Sequence, residues 1–122
     1  MAGPLEVFAI TSECVSYMRA DIDTPCYEIE VISPAGGPVV TSAGIAVETA
    51  AADVADVDTF LIPGAARANL PLADATLIEF VRAQAQSARR VGSIGSAAFI
   101  LAQTGLLAGR RATAHWAYVD EI

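Results

Sequence analysis

Few residues of this chain have the chemistry for a reaction. There are two cysteines, Cys14 and Cys26, and a single histidine, His115. A thiol or hydroxyl becomes a nucleophile most readily where a strand enters a helix through a sharp turn. The turn residue then stands at the helix N-terminus, where free N–H groups and the helix dipole favour an anion. The stretch RRVGSIGSAAFILAQTGLLAGRRATAHW, Arg89–Trp116, has that pattern. A strand is expected over Val91–Ile94, a sharp turn at Gly95, a helix over Ser96–Leu107 and a second strand from Ala112 to Trp116. Glycine, without a side chain, stands at the sharpest point, which fits either an elbow missing its nucleophile or a plain structural corner. Ser96 follows it, one residue out of register, and reads as a helix N-cap rather than a substitute.

The other reactive groups fare no better. Cys14 falls in a predicted helix with no elbow around it, and Cys26 precedes a strand, so both read as free, small apolar residues. Glu6 reads as a first-turn acid favoured by the helix dipole. His115 at a strand end fits either a pocket acid/base or a hydrogen-bonded structural residue. One histidine and two cysteines do not supply a metal site. Gly92 and Gly95 lack the third glycine and downstream acid of a dinucleotide motif. No metal and no cofactor are expected.

The elements that must position these groups follow from spacing. Gly3-Pro4 ahead of LEVFAITSECVSYM predicts a helix with proline in its first turn. Tyr27–Ser33 alternates apolar and acidic residues, the pattern of a half-buried strand near a sheet edge. SPAGGPVVTSAG is a loop with a short hairpin at Val39-Val40, followed by a strand in IAVET and an alanine-rich run. Val57–Pro63, VDTFLIP, is an apolar run of strand length, typical of strands covered on both faces of a parallel sheet. Asp74 caps a helix to about Ala88, with Leu77, Val81 and Ala85 along one face. Strands alternating with helices predict an α/β fold with a parallel sheet, one unit over residues 1–122, whose ligand loops sit at the carboxyl ends of the strands. Those loops are PGAA, GSAA and HW.

Charge limits the partners. The formal net charge is −7, with fourteen acidic residues against seven basic ones, all arginine. Such a surface repels a phosphate backbone. Arg89-Arg90, near a helix C-terminus, suits the dipole there. No apolar run reaches the ~20 residues of a membrane span. The N-terminus has no basic cluster ahead of an apolar run, so no secretory signal is expected and the cytoplasm is the expected compartment.

The runs VGSIGSAAFILAQTGLLAGRRATAHW, FLIPGA, ISPAGGPVVTSAG and GPLEVF resemble the ThiJ/PfpI superfamily, of the class I glutamine amidotransferase-like group. Within it they are most similar to the amidase-like N-terminal domain of GlxA-type transcription regulators of the AraC family, and next to isonitrile hydratases. The resemblance implies a flavodoxin-like sandwich, usually dimeric, with an elbow cysteine, an acidic partner and an oxyanion hole of backbone N–H groups. Aligned on that pattern, Gly95 takes the cysteine's place and the acidic partner's position falls before Met1. The oxyanion loop survives as Pro63-Gly64-Ala65, with Ser96 supplying the N–H after the elbow. The resemblance also implies a central strand before the Gly-Pro helix and further elements after HWAYVDEI. The expectation is a sheet lacking both, and a chain that associates rather than stays monomeric.

The implied function is a non-catalytic ligand-sensing or dimerisation domain, a pseudoenzyme with Gly64, Ala65, Gly95, Ser96, His115 and Trp116 as ligand-binding residues. An isonitrile hydratase-like or hydrolase-type enzyme working through Ser96 or His115 is the alternative. The expected partners are a second copy and a small molecule, with no membrane and no nucleic acid. This chain alone is therefore expected not to shift DNA in a gel at moderate salt. Binding that weakens steeply as salt is added would reveal a basic surface and overturn that expectation.

Overall fold

The computed structural model describes residues 2–19, 21, 24–51, 57–64 and 74–122, which fall in two compact units, Met1–Val31 and Ile32–Ile122. The end of the alanine-rich run and Ala65 lie outside the described residues.

The first unit is built on helix α1, Ala2–Met18. Pro4 sits in its first turn, where the absent N–H costs no helical bond. Because the helix starts at Ala2, no acid lies in the first turn and Glu6 is beyond it. Ser12 is buried, and its Oγ accepts the backbone N–H of Tyr27 at 3.1 Å. The Phe8 and Tyr27 rings meet edge-on with centroids 4.8 Å apart. These contacts revise the expected strand over Tyr27–Ser33. Tyr27 and Ile29 are exposed rather than facing a core, and the backbone at Tyr27 is tied to a helix side chain instead of a ladder. Only β1, Ile32–Ser33, is strand.

In the second unit, β2 (Gly37–Val40) and β3 (Ala46–Ala51) form the expected hairpin, antiparallel in the register Val39↔Val47. β1 pairs with β3 in parallel, giving the order β1-β3-β2 with β1 at an edge. The Thr41 N–H donates to the Ile45 carbonyl at 2.8 Å. Antiparallel alternation then aims the backbone of Pro38 and Val40 outward. Proline thus removes one N–H from the outer edge of β2, which blunts it against strand addition.

The parallel pair that matters for the site is β4 (Thr59–Ile62) with β5 (Arg90–Ser93), joined through helix α2 (Ala75–Ser87). This strand–helix–strand crossover is α/β organisation, as expected. Asp74 caps α2 as predicted, its Oδ1 accepting the Thr76 N–H at 3.1 Å. Phe60 and Ile62 are buried, while Thr59 and Leu61 on the other face are only half-buried. Phe60 and Ile62 form the core with Val81, Ala97 and Leu101. Burial of the four larger side chains, Phe60, Ile62, Val81 and Leu101, stabilises by about 1.5–3 kcal/mol each. Gln84 shares the buried face of α2, and its Oε1 finds no hydrogen-bond partner among the described residues.

After β5 the chain makes a 3-10 turn, Gly95–Ala97, and helix α3, Ala98–Gln103. The expected helix to Leu107 stops four residues early. Thr104 turns its hydroxyl onto the Leu101 carbonyl at 2.6 Å, and Gly105 takes φ +80°, a left-handed angle that ends helices. Arg82 Nε donates to the Thr104 carbonyl at 3.3 Å, satisfying an orphan acceptor at the helix end. The strand expected from Ala112 to Trp116 is absent. Residues 111–115 make no ladder, and the Tyr118 N–H donates to the His115 carbonyl at 2.8 Å as a 3-10 helix, Trp116–Glu121, begins. Among the described residues no helix is long and apolar enough to cross a membrane.

Arg89 and Arg90 do not serve the α2 terminus. They straddle Asp58 at the opening of the β4–β5 pair, with Arg89 Nε 2.6 Å from Oδ1 and Arg90 Nη1 3.0 Å from Oδ2. The Thr59 hydroxyl adds a third donor at 2.8 Å. The Arg89 hydrogen bond, then the Thr59 one, lower the Asp58 carboxyl from 3.8 to about 2. A carboxyl depressed in the folded state stabilises that state above its unfolded value. That contribution should vanish as pH falls from about 4 through about 2. Urea denaturation across this range should show wild type losing more stability than Asp58→Asn. Parallel losses in the two proteins would mean that the exposed pair contributes nothing.

Candidate functional site: the elbow after β5

The site is assembled by register. Ile62 lies beside Ser93, and the Ile94 N–H extends the ladder by donating to the Ile62 carbonyl at 3.0 Å. Two parallel strands ending side by side release their loops at the same end, here Pro63-Gly64 and Ile94-Gly95-Ser96. Ile94 is still extended, with φ −116° and ψ 122°. Gly95 then reverses the chain at φ +57°, the left-handed region that costs other L-residues roughly 1–2 kcal/mol. The corner foreseen in the sequence is present, with glycine at its apex.

The two loops touch. A Cβ added to Gly64 would overlap the Ile94 carbonyl oxygen and lie 2.9 Å from Ser96 Oγ and 3.0 Å from Ser96 N. Only glycine fits there without a shift of backbone. A Cβ added to Gly95 would meet nothing within 4 Å. Ser96 is not the N-cap that the sequence suggested, because Ile94 holds that position and makes no side-chain cap bond. The half-buried Ser96 hydroxyl lies instead on the Gly64 side.

Chemically the corner holds donors and a hydroxyl but no ionisable side chain on Gly64, Gly95 or Ser96. A covalent step through position 95 has no atom to use. Backbone N–H groups at a strand-to-helix turn can still polarise a bound oxygen. Ala65, the other member of the expected oxyanion loop, lies outside the described residues. No group of three or more His, Cys, Asp or Glu suited to a metal ion occurs among the described residues.

His115 and Trp116 stand ring against ring. Their ring centroids are 5.2 Å apart, and His115 lies 5.9 Å from the Tyr118 ring. His115 is exposed and Trp116 is 82% exposed. Instead of ending a strand, His115 precedes a 3-10 helix and Trp116 starts it. Tyr118 joins them through the three-residue spacing of that helix, a period hidden when the segment is read as a strand. Cys14 and Cys26 are exposed and free, both in the first unit.

The geometry separates the two glycines energetically. Gly95→Ala should cost about 1–2 kcal/mol, from backbone conformation alone, since a Cβ there meets nothing within 4 Å. Gly64→Ala should cost about 2–3 kcal/mol, because backbone atoms must move to admit the methyl group. Urea melts of the two variants check this, and an equal or reversed order would show that the loops are not pressed together.

Comparison with known proteins agrees with this architecture. The model of the DJ-1/PfpI family matches residues 11–122. An isonitrile hydratase from Pseudomonas putida is 38% identical over 85 residues, which are 68% of this chain and 37% of that protein. An uncharacterised protein from the cpoL 5′ region of Streptomyces lividans is 34% identical over 118 residues, 95% of this chain and 77% of the relative. The HTH-type transcriptional regulator CdhR from Pseudomonas aeruginosa is 33% identical over 95 residues, 77% of this chain and 28% of the regulator. The chain thus spans well under half the length of the hydratase and of the regulator. With its strand–helix–strand crossover, its glycine-bearing elbow and a family match over nearly its whole length, the chain belongs to the DJ-1/PfpI family.

Proposed function

We propose that this chain is a non-catalytic ligand-sensing or dimerisation domain related to the sensing domains of transcription regulators. The observation that carries the reading is glycine at the apex of the elbow. An intact left-handed turn at φ +57° presents no side chain to a ligand. The likeness to CdhR, a transcriptional regulator, supports it. In this reading Gly64, Ala65, Gly95 and Ser96 hold a small molecule by backbone N–H groups and one hydroxyl, and His115 and Trp116 supply a second, aromatic surface. The response passes to a second copy or to a DNA-binding partner in the cytoplasm, since the net charge of −7 disfavours direct contact with nucleic acid.

The likeness to an isonitrile hydratase favours a second reading, an enzyme that works through a substitute group. Ser96 is the better placed candidate, because its hydroxyl faces the loop after β4. Turnover assays with isonitriles, small amides and glyoxals separate the two readings. The purified chain should show no activity above background, and Gly95→Cys provides the comparison with a thiol restored. Wild-type turnover abolished by Ser96→Ala would establish the enzyme reading and remove the non-catalytic one. Turnover that survives both Ser96→Ala and His115→Ala would remove both.

A further inference from the structure

We infer that Gly64 is the positioning residue of the elbow: the loop after β4 holds the left-handed turn at Gly95 from outside, through contact with the Ile94 carbonyl and Ser96. Glycine at the apex does not fix its own conformation, since it visits left- and right-handed angles about equally readily. No neighbour fixes the apex through its Cβ direction either, for a Cβ at Gly95 would meet nothing within 4 Å. The atoms flanking the apex are the confined ones. Ile94 O, Ser96 N and Ser96 Oγ all lie within 3.0 Å of where a Gly64 Cβ would be, so the bare Cα of Gly64 lies against both sides of the turn. The ladder bond from Ile94 N to Ile62 O anchors the entry to the turn, and the Ala97 N–H to Ile94 carbonyl bond at 3.3 Å closes its exit. Gly64 sets what lies between.

This role stands whether or not the elbow takes a ligand. It makes the glycine after β4 a steric requirement of the corner, separate from any donor function of its N–H. Whatever occupies position 95, in this chain or in a variant, is then aimed by a residue in the loop after the other strand. Gly92 provides the contrast. A Cβ there would meet only Leu61 Cδ2, at 3.0 Å, the end of a flexible side chain in the same strand pair. Substitution at Gly92 strains packing without touching the turn.

A thiol reporter tests the inference. In the full chain with Cys14→Ser and Cys26→Ser, Gly95→Cys places one thiol at the apex. Its iodoacetamide alkylation rate is then measured against pH. Adding Gly64→Ala should move this profile, changing the rate at neutral pH by roughly threefold or more, the effect of half a unit in thiol pKa. Adding Gly92→Ala should leave it unchanged. Should Gly64→Ala fail to fold, Ser96→Ala adds no atom and removes one of the three contacts, and it should move the profile as well. A profile unmoved by Gly64→Ala in a folded protein, or by Ser96→Ala, overturns the inference. So does one moved equally by Gly92→Ala, because general destabilisation would then account for it.

Discussion

The parallel register of β4 on β5 is the constraint on which the candidate site depends. Pairing Ile62 with Ser93 sends two chains out of the same end of the sheet. Neighbouring strands are only about 4.8 Å apart, so loops that leave together compete for the same volume. Here the competition is resolved by removing a side chain. Gly64 allows the first loop to lie against the backbone of the second, and Gly95 allows the second to turn at once into the 3-10 turn and α3. The corner is therefore a packing solution before it is a chemical one.

The two ends of this strand pair are secured by different physics. At the opening, Asp58 is held by two arginines and a threonine hydroxyl, all at the surface, where ion pairs are screened and individually weak. At the close, the contacts are steric and the side chains beneath them are buried. Between the ends lies the core of Phe60 and Ile62 against Val81, Ala97 and Leu101. Ala97 and Leu101 follow the elbow directly, so the residues that anchor α3 on the sheet also bear on the turn. Apolar burial between the two ends supplies the stability.

The sequence disclosed those parts whose signals are local. The Asp74 cap, the Val39-Val40 hairpin, the proline-led first helix and the Gly95 corner each rest on a few adjacent residues, and each is present. The failures came where a partner decides. Tyr27–Val31 alternates like a strand, yet the Tyr27 N–H is claimed by Ser12 Oγ and the Tyr27 ring by Phe8. Residues 112–116 carry strand-like spacing but find no ladder. Ser96 has an N-cap's composition, and the cap position fell two residues earlier, at Ile94. The Gly64 contact was invisible because it joins residues thirty apart, and a glycine after a strand signals only that something comes close. Of the candidate residues, Gly64, Gly95 and Ser96 are brought together. His115 and Trp116 are brought to each other.

Glycine at the apex bears on how such a corner is to be interpreted. A side-chain-bearing residue at φ +57° would sit in a conformation costing roughly 1–2 kcal/mol, which the surrounding structure must hold in place. In an enzyme that strain has a use, because it presents a nucleophile to its substrate. Glycine adopts the same angle without strain, so retention of the turn here requires no catalytic purpose. What the turn still does is structural: it starts α3 at the angle that buries Ala97 and Leu101 on β4. A corner of this shape can therefore outlast its chemistry, because the core needs it even when no reaction does. At Gly95 itself a Cβ would meet nothing within 4 Å, so the apex is glycine for its backbone angle and not for lack of space.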